Sequence, residues 1–157
     1  MDDHLLFELY KLWKRLDKKT KEDFTRGINI PEYITEKLYC IINNYKHKTK
    51  KDDSTDAVDK NGKRVQIKAT NNFHNDLTSF GPQSQFEILE FVRLDYENDI
   101  FYFYRIDISI LEHIKVNKFE TFNNQRSQKR RPRFSIINKI LIPYKIQHYA
   151  NVNMRTR

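Results

Sequence analysis

Asp56, Gln66 and Lys68 are the residues of this chain whose types and spacing most suggest chemistry: a carboxylate, a glycine-bearing turn, then an amide and an ammonium two residues apart. Side chains alternate across a strand, so Gln66 and Lys68 emerge on one face, where both can address one phosphate. Asp56 is suited to a divalent cation, and Mg2+ is the expected ion because it prefers hard oxygen ligands and shares its shell readily with water and phosphate. Gln66 offers its amide oxygen as a second ligand. Lys68 would orient the attacking water or donate to charge developing on the phosphate. The set fits phosphodiester hydrolysis.

Turn geometry decides whether the three can meet. A two-residue turn at Asn61 and Gly62 would set Ala57 opposite Gln66 and point Asp56 to the other face. A three-residue loop of Lys60, Asn61 and Gly62, with Gly62 left-handed, pairs Asp56 with Gln66 and puts all three groups on one face. Asp59 is expected to support the turn rather than bind metal. Taken alone the pattern also suits a solvated hairpin, since Asp, Gln and Lys are common on exposed strands.

The elements around the hairpin follow from periodicity. Leu5, Leu9, Leu12, Trp13 and Leu16 recur at helical spacing, predicting an amphipathic helix over residues 3–19. A second helix is expected from Pro31, with Ile34, Leu38, Ile41 and Tyr45 along one side. A charged connector at residues 46–53 contains Asp52 and Asp53, possible supporting acids. Strands are predicted at residues 55–59, 63–70, 86–95 and 99–108. The last two are apolar on both faces, as central strands are. A short helix is expected over residues 109–116, a basic loop over 123–133, and a strand or short helix over 135–146. The fold class is α+β, a mainly antiparallel mixed β-sheet flanked by helices.

Length and composition fit one domain, residues 1–157, with 38% hydrophobic residues to build a core. We divide it into a helical region at 1–45, a sheet bearing the hairpin at 54–108, and a basic region at 121–157. The formal charge is +8, and residues 121–157 contain no acid, so that quarter carries the cationic excess. A one-signed surface attracts a polyanion, and double-stranded DNA fits best. A basic membrane helix is disfavoured by Pro132 and by the absence of an apolar face in residues 126–133. One cysteine, Cys40, excludes an internal disulfide and suits a reducing cytoplasm. No stretch suggests a signal peptide or a membrane span.

The stretch Thr55, Asp56, Ala57, Val58, Asp59, then Gly62, then Ile67 and Lys68, resembles the active-site hairpin of the PvuII-type restriction endonucleases, in the PD-(D/E)xK nuclease superfamily. Further matches fall in order: Leu12-Trp13, Gly27-Ile28-Asn29, Asp76-Leu77-Thr78, Ile100-Phe101, Tyr104-Arg105 and Ile142-Pro143. The resemblance implies a restriction-endonuclease-like core, Asp56 as metal-binding aspartate and Lys68 as catalytic lysine. Gln66 stands where those enzymes have glutamate, which keeps an oxygen but removes a charge and implies weaker metal binding. Gln83, Ser84 and Gln85 replace a histidine cluster that reads base edges there, and glutamine suits adenine. Asn138 sits near a late asparagine contact, beside Lys139.

His74 and Asn75 are placed beside the DNA cleft, and Arg126, Arg130 and Arg131 are expected on phosphates. The resemblance further implies a homodimer through the N-terminal helices, with Leu5, Leu9 and Trp13 as contacts, and a cognate DNA methyltransferase acting on the same site. The resulting expectation is a Mg2+-dependent type II restriction endonuclease cutting duplex DNA at a short palindrome. The alternatives are a junction-resolving or repair nuclease on the same core, and a non-catalytic basic DNA-binding protein.

Overall fold

The computed structural model describes residues 3–47 and 55–155, so Asp52 and Asp53 lie outside the described residues. Helix α1 (Asp3–Asp23) and helix α2 (Glu32–Asn43) precede a six-stranded sheet. Its strands are β1 (Lys46–His47), β2 (Ala57–Val58), β3 (Arg64–Thr70), β5 (Ile88–Asp95), β6 (Ile100–Ile106) and β8 (Ala150–Asn153), adjacent in that order. Only the β3–β5 pair is parallel, so the sheet is mixed and mostly antiparallel. A separate ribbon pairs β4 (Thr78–Ser79) with β7 (Arg133–Phe134). No helix among the described residues is long and apolar enough to cross a membrane.

The sheet separates two hydrophobic layers, and strand alternation assigns residues to each. Val65, Ile67, Val92, Leu94, Phe101 and Phe103 pack beneath α1 and α2. Leu89, Phe91, Tyr104 and Ile106 face the other way, onto Phe80, Phe134 and the later helical turns. β5 and β6 are thus apolar on both faces because both are covered. The one charge buried within them, Glu90, is bound by Tyr39 from α2 and by Arg105 Nε at 2.6 Å.

Helix α1 turns Leu6, Tyr10, Trp13 and Asp17 inward. Trp13 donates from Nε1 to the Ile28 carbonyl at 3.1 Å, and Asp17 accepts from Ile28 N–H at 2.7 Å. Trp13 is only 5% exposed, so it belongs to the core and not to a subunit contact as expected. On α2, Ile34 and Leu38 face inward with Tyr39 and Cys40, whereas Ile41 is exposed.

The C-terminal region departs most from expectation. The basic stretch expected as a loop contains α3 (Phe122–Ser127), opened by a capping box between Thr121 and Asn124. A 3-10 turn spans Ile108–His113, close to the short helix expected there. A π-helical turn spans Ile137–Leu141, the helical one of the two alternatives expected there, and the sheet's last strand is β8, beyond the predicted segments.

Candidate active site

The hairpin register brings β2 onto β3 with Ala57 opposite Val65 and Val58 opposite Arg64. Gly62 has φ of 80°, a left-handed conformation that suits glycine. Asp59 Oδ1 fastens the loop by accepting from Asn61 N–H at 2.9 Å and Lys63 N–H at 2.8 Å. The Val65 carbonyl also takes the N–H of Asp56, at 3.1 Å. Two residues of the incoming chain therefore converge on one residue of β3, as at a β-bulge, and this aims Asp56 at β3 in place of the plain cross-strand pair expected.

Asp56 Oδ2 accepts from Gln66 Nε2 at 2.5 Å and from Ile67 N–H at 2.6 Å. Val65 and Ile67 point into the helix-covered layer, so Gln66 and Lys68 share the opposite face of β3. The Lys68 ammonium lies 5.6 Å from the Phe80 ring centroid. Burial pushes the Asp56 carboxyl up to about 7. The Ile67 N–H and Lys68 oppose that rise, while Glu36 and Glu32 reinforce it. Glu36 is itself held by His47 Nε2 at 2.7 Å.

Lys68 opens onto a cleft of about 650 Å³ between the start of α2 and the β4–β7 ribbon. Arg26, Glu32, Glu36, Asn75 and Arg133 stand around it. For a divalent cation the donor set is one half-buried carboxylate, whose Oδ2 accepts both hydrogen bonds, and the adjacent Gln66 amide. Among the described residues no group of three or more His, Cys, Asp or Glu is placed to hold a metal. The aspartate carboxylate and the amide oxygen are hard oxygen donors of the kind Mg2+ takes, with water and phosphate oxygen completing its shell.

The residues expected to read DNA are dispersed. Asn75 lines the cleft, and its Oδ1 accepts from Asn138 Nδ2 at 3.1 Å, so these two are joined. His74 lines an adjoining groove with Lys21, Arg26 and Asn72. Gln83 is exposed, the Ser84 carbonyl accepts from Arg126, and Gln85 Oε1 accepts from Arg64 Nη1 at 3.0 Å. Arg130 binds Glu120, Arg131 is exposed, and Lys139 is half-buried. Arg126 turns its guanidinium inward to the carbonyls of Pro82 and Ser84, over the Phe122 ring, and braces the 82–84 loop.

Two positioning residues, Arg93 and Asp76, escaped the sequence reading, and Arg133 closes the basic stretch expected on phosphates. Arg133 reaches the cleft because β7 pairs with β4, a tertiary fact that a charge run does not encode. Arg93 donates from Nε to the Phe73 carbonyl at 3.0 Å and from Nη1 to the Tyr104 hydroxyl at 3.1 Å, tying the 71–75 loop to the sheet. Asp76 accepts from Thr78 Oγ1 at 2.6 Å, Ser135 Oγ at 2.8 Å, Ile136 N–H at 2.9 Å and Ile137 N–H at 3.0 Å. Asp76→Ala leaves those buried donors without an acceptor and should destabilise the protein by about 3 kcal/mol. A denaturant melt checks this, and an unchanged midpoint would remove Asp76 from the support of the ribbon.

Comparison with known proteins follows the same lines. The Bsp6I restriction endonuclease family model matches residues 1–143. The type II restriction enzyme Bsp6I of Bacillus sp. (strain RFL6) is 38% identical over 155 residues, covering 94% of this chain and 86% of that enzyme. A folded α+β chain with that match over nearly its whole length belongs to the Bsp6I restriction endonuclease family.

Proposed function

We propose that this chain is a Mg2+-dependent type II restriction endonuclease that hydrolyses both strands of duplex DNA at a short palindromic site, with Asp56, Gln66 and Lys68 as its catalytic set. The observation that carries the reading is the contact of Asp56 with Gln66 on the face of β3 that also bears Lys68, which itself lines a cleft with Arg26 and Arg133 at its rim. The likeness of this hairpin to the PvuII-type nucleases supports the same assignment.

Asp56 and the Gln66 amide oxygen would hold the ion, which when bound acidifies a water and offsets charge on the phosphate. The chain's own groups do the remainder. Lys68 donates to a non-bridging phosphate oxygen or to the attacking water, and the Phe80 ring beneath it shields that hydrogen bond from solvent. Arg26 and Arg133 hold flanking phosphates and fix the register of the duplex. Residues 54–108 supply the catalytic sheet and residues 121–157 the basic DNA-binding region. A methyltransferase protecting the same site is the functional partner.

Cutting two strands of a palindrome calls for two such sites related by a twofold axis. The surface we assign to that dimer is the outer face of α1, where Leu5, Leu12 and Leu16 are half exposed and Leu9 lies between them. Their spacing of four, three and four residues is that of a helix-pair seam. Antiparallel pairing sets Leu9 against the partner subunit's Leu12 and brings Glu8 near the partner subunit's Arg15, a complementary contact. Leu12→Lys should shift the protein from dimer to monomer in sedimentation velocity while the monomer keeps the circular dichroism of the folded chain and loses the concentration dependence of its thermal midpoint. A persistent dimer would reject this face.

The function itself is tested by incubating the protein with plasmid DNA and Mg2+ and sequencing the fragment ends. Discrete ends at a repeated palindrome are expected. Cleavage confined to branched or mismatched DNA would mark a junction or repair nuclease, and bound but intact DNA a non-catalytic binder.

A further inference from the structure

Phe119 is 92% exposed, the highest value among the exposed large hydrophobic side chains. It sits on a narrow loop closed by the antiparallel bridge between Lys115 and Thr121. Asn117 Oδ1 accepts from the N–H of Phe119 and of Glu120, each at 2.9 Å, and Asn117 Nδ2 donates to Glu120 Oε2 at 2.9 Å. Val116 N–H bonds the Glu120 carbonyl at 2.9 Å. The tip is therefore a braced platform with the ring projecting from its end.

Scattered exposed apolar residues are ordinary on soluble proteins. This one is distinguished by its mounting and by its neighbours. Lys115 and Lys118 flank it in the loop, and Glu120 at the loop's base binds Arg130. From Arg130 the chain runs through exposed Arg131 to Arg133 on the rim of the Lys68 cleft, a reach of at most roughly 11 Å for three residues. A protein partner would ask for a contiguous apolar patch of several hundred Å². A lone ring set among cations instead matches a surface that alternates phosphates with a stack of flat rings, which is duplex DNA.

We infer that Phe119 is a wedge that inserts between stacked bases beside the cleavage site, with Lys115, Lys118 and Arg130 taking the adjoining phosphates. The inference rests on the nuclease reading above and assigns it a DNA-distorting element outside the catalytic cleft. Its specificity then comes partly from the deformability of the step it opens, since flexible pyrimidine–purine steps unstack at lower cost.

The test uses the Lys68→Ala protein, whose slowed cleavage leaves the duplex whole over the time of a binding measurement, and duplexes carrying the site defined by the plasmid fragment ends, with 2-aminopurine placed at successive positions. Binding should raise the fluorescence several-fold at one step in each half-site. Adding Phe119→Ala should abolish that rise and weaken binding by about tenfold to a hundredfold, while Phe119→Trp keeps both. The thermal midpoint should not move, because the ring packs on nothing. Unchanged affinity and fluorescence in Phe119→Ala would overturn the wedge alone. So would weakened binding with no fluorescence rise at any position, or an assembly state that depends on Phe119 while DNA binding does not. Failure of the wild-type protein to bind or cut any duplex would overturn the nuclease reading with it.

Discussion

Lys68→Ala is expected to lower the rate of DNA cleavage by about 10²- to 10³-fold, the usual loss when one donor to a developing negative charge is removed. Affinity for the duplex should stay within a few-fold, because one phosphate contact of many is lost. The fold should not suffer, since Lys68 is half-buried on the cleft side of β3 and the sheet beneath it is held by Val65 and Ile67. Lys68 also opposes the upward shift of Asp56, so its removal pushes that carboxyl further up. The comparison is therefore made across a pH series, on the plateau where each protein's rate no longer rises with pH. Single-turnover rates and filter-binding affinities separate the two effects. A rate within threefold of wild type would take Lys68 out of the chemistry.

The second large effect is on the linkage between protons and metal at Asp56. Its folded pKa of about 7 lies above the ordinary carboxylate range. Between that range and pH 7 the cation-free folded protein holds a proton that the unfolded chain has released, so its stability falls as pH rises through this window and levels off above it. A divalent cation must displace the same proton. Apparent Mg2+ affinity should consequently drop about tenfold for each pH unit below 7 and be flat above it. Gln66→Glu adds a second carboxylate against Asp56 Oδ2, where an amide N–H now donates. It should tighten Mg2+ by about tenfold, since affinity follows the charge of the ligand set, and raise the pH below which binding falls off. Calorimetric metal titrations at several pH values read both changes. Identical titrations for the two proteins would exclude Gln66 from the ion's shell.

Much of the hairpin is legible in the sequence because its determinants are local. Alternation puts Gln66 and Lys68 on one face, and Gly62 supplies the left-handed residue that a three-residue loop needs. The bulge at Asp56 is not legible, since it depends on which carbonyl of β3 the incoming chain meets. The two-sided apolar runs of β5 and β6 likewise announce central strands.

Where the pattern misleads, tertiary contacts are the reason. On α1 two stripes, Leu5-Leu9-Leu12-Leu16 and Leu6-Tyr10-Trp13-Asp17, are offset by a single residue, and periodicity does not say which one faces the core. The inner stripe wins because Tyr10, Trp13 and Asp17 find hydrogen-bond partners there. Helix α3 is concealed by its polar composition and held by buried Phe122 and Gln125. Strand β8 carries one buried side chain, Val152, and forms because β6 offers it an edge. Arg126 reads as one more member of a basic run, yet it is buried enough that desolvation lowers its pKa.

The most direct measurement sequences the ends that wild-type and Lys68→Ala proteins produce from one plasmid, in Mg2+ and in chelator. When all four reactions are stopped as soon as wild-type digestion in Mg2+ is complete, discrete ends at a repeated palindrome from that reaction, with essentially intact plasmid in the other three, are the predicted result. The same ends from both proteins, or cleavage that persists in chelator, would contradict the assignment of catalysis to Asp56, Gln66 and Lys68.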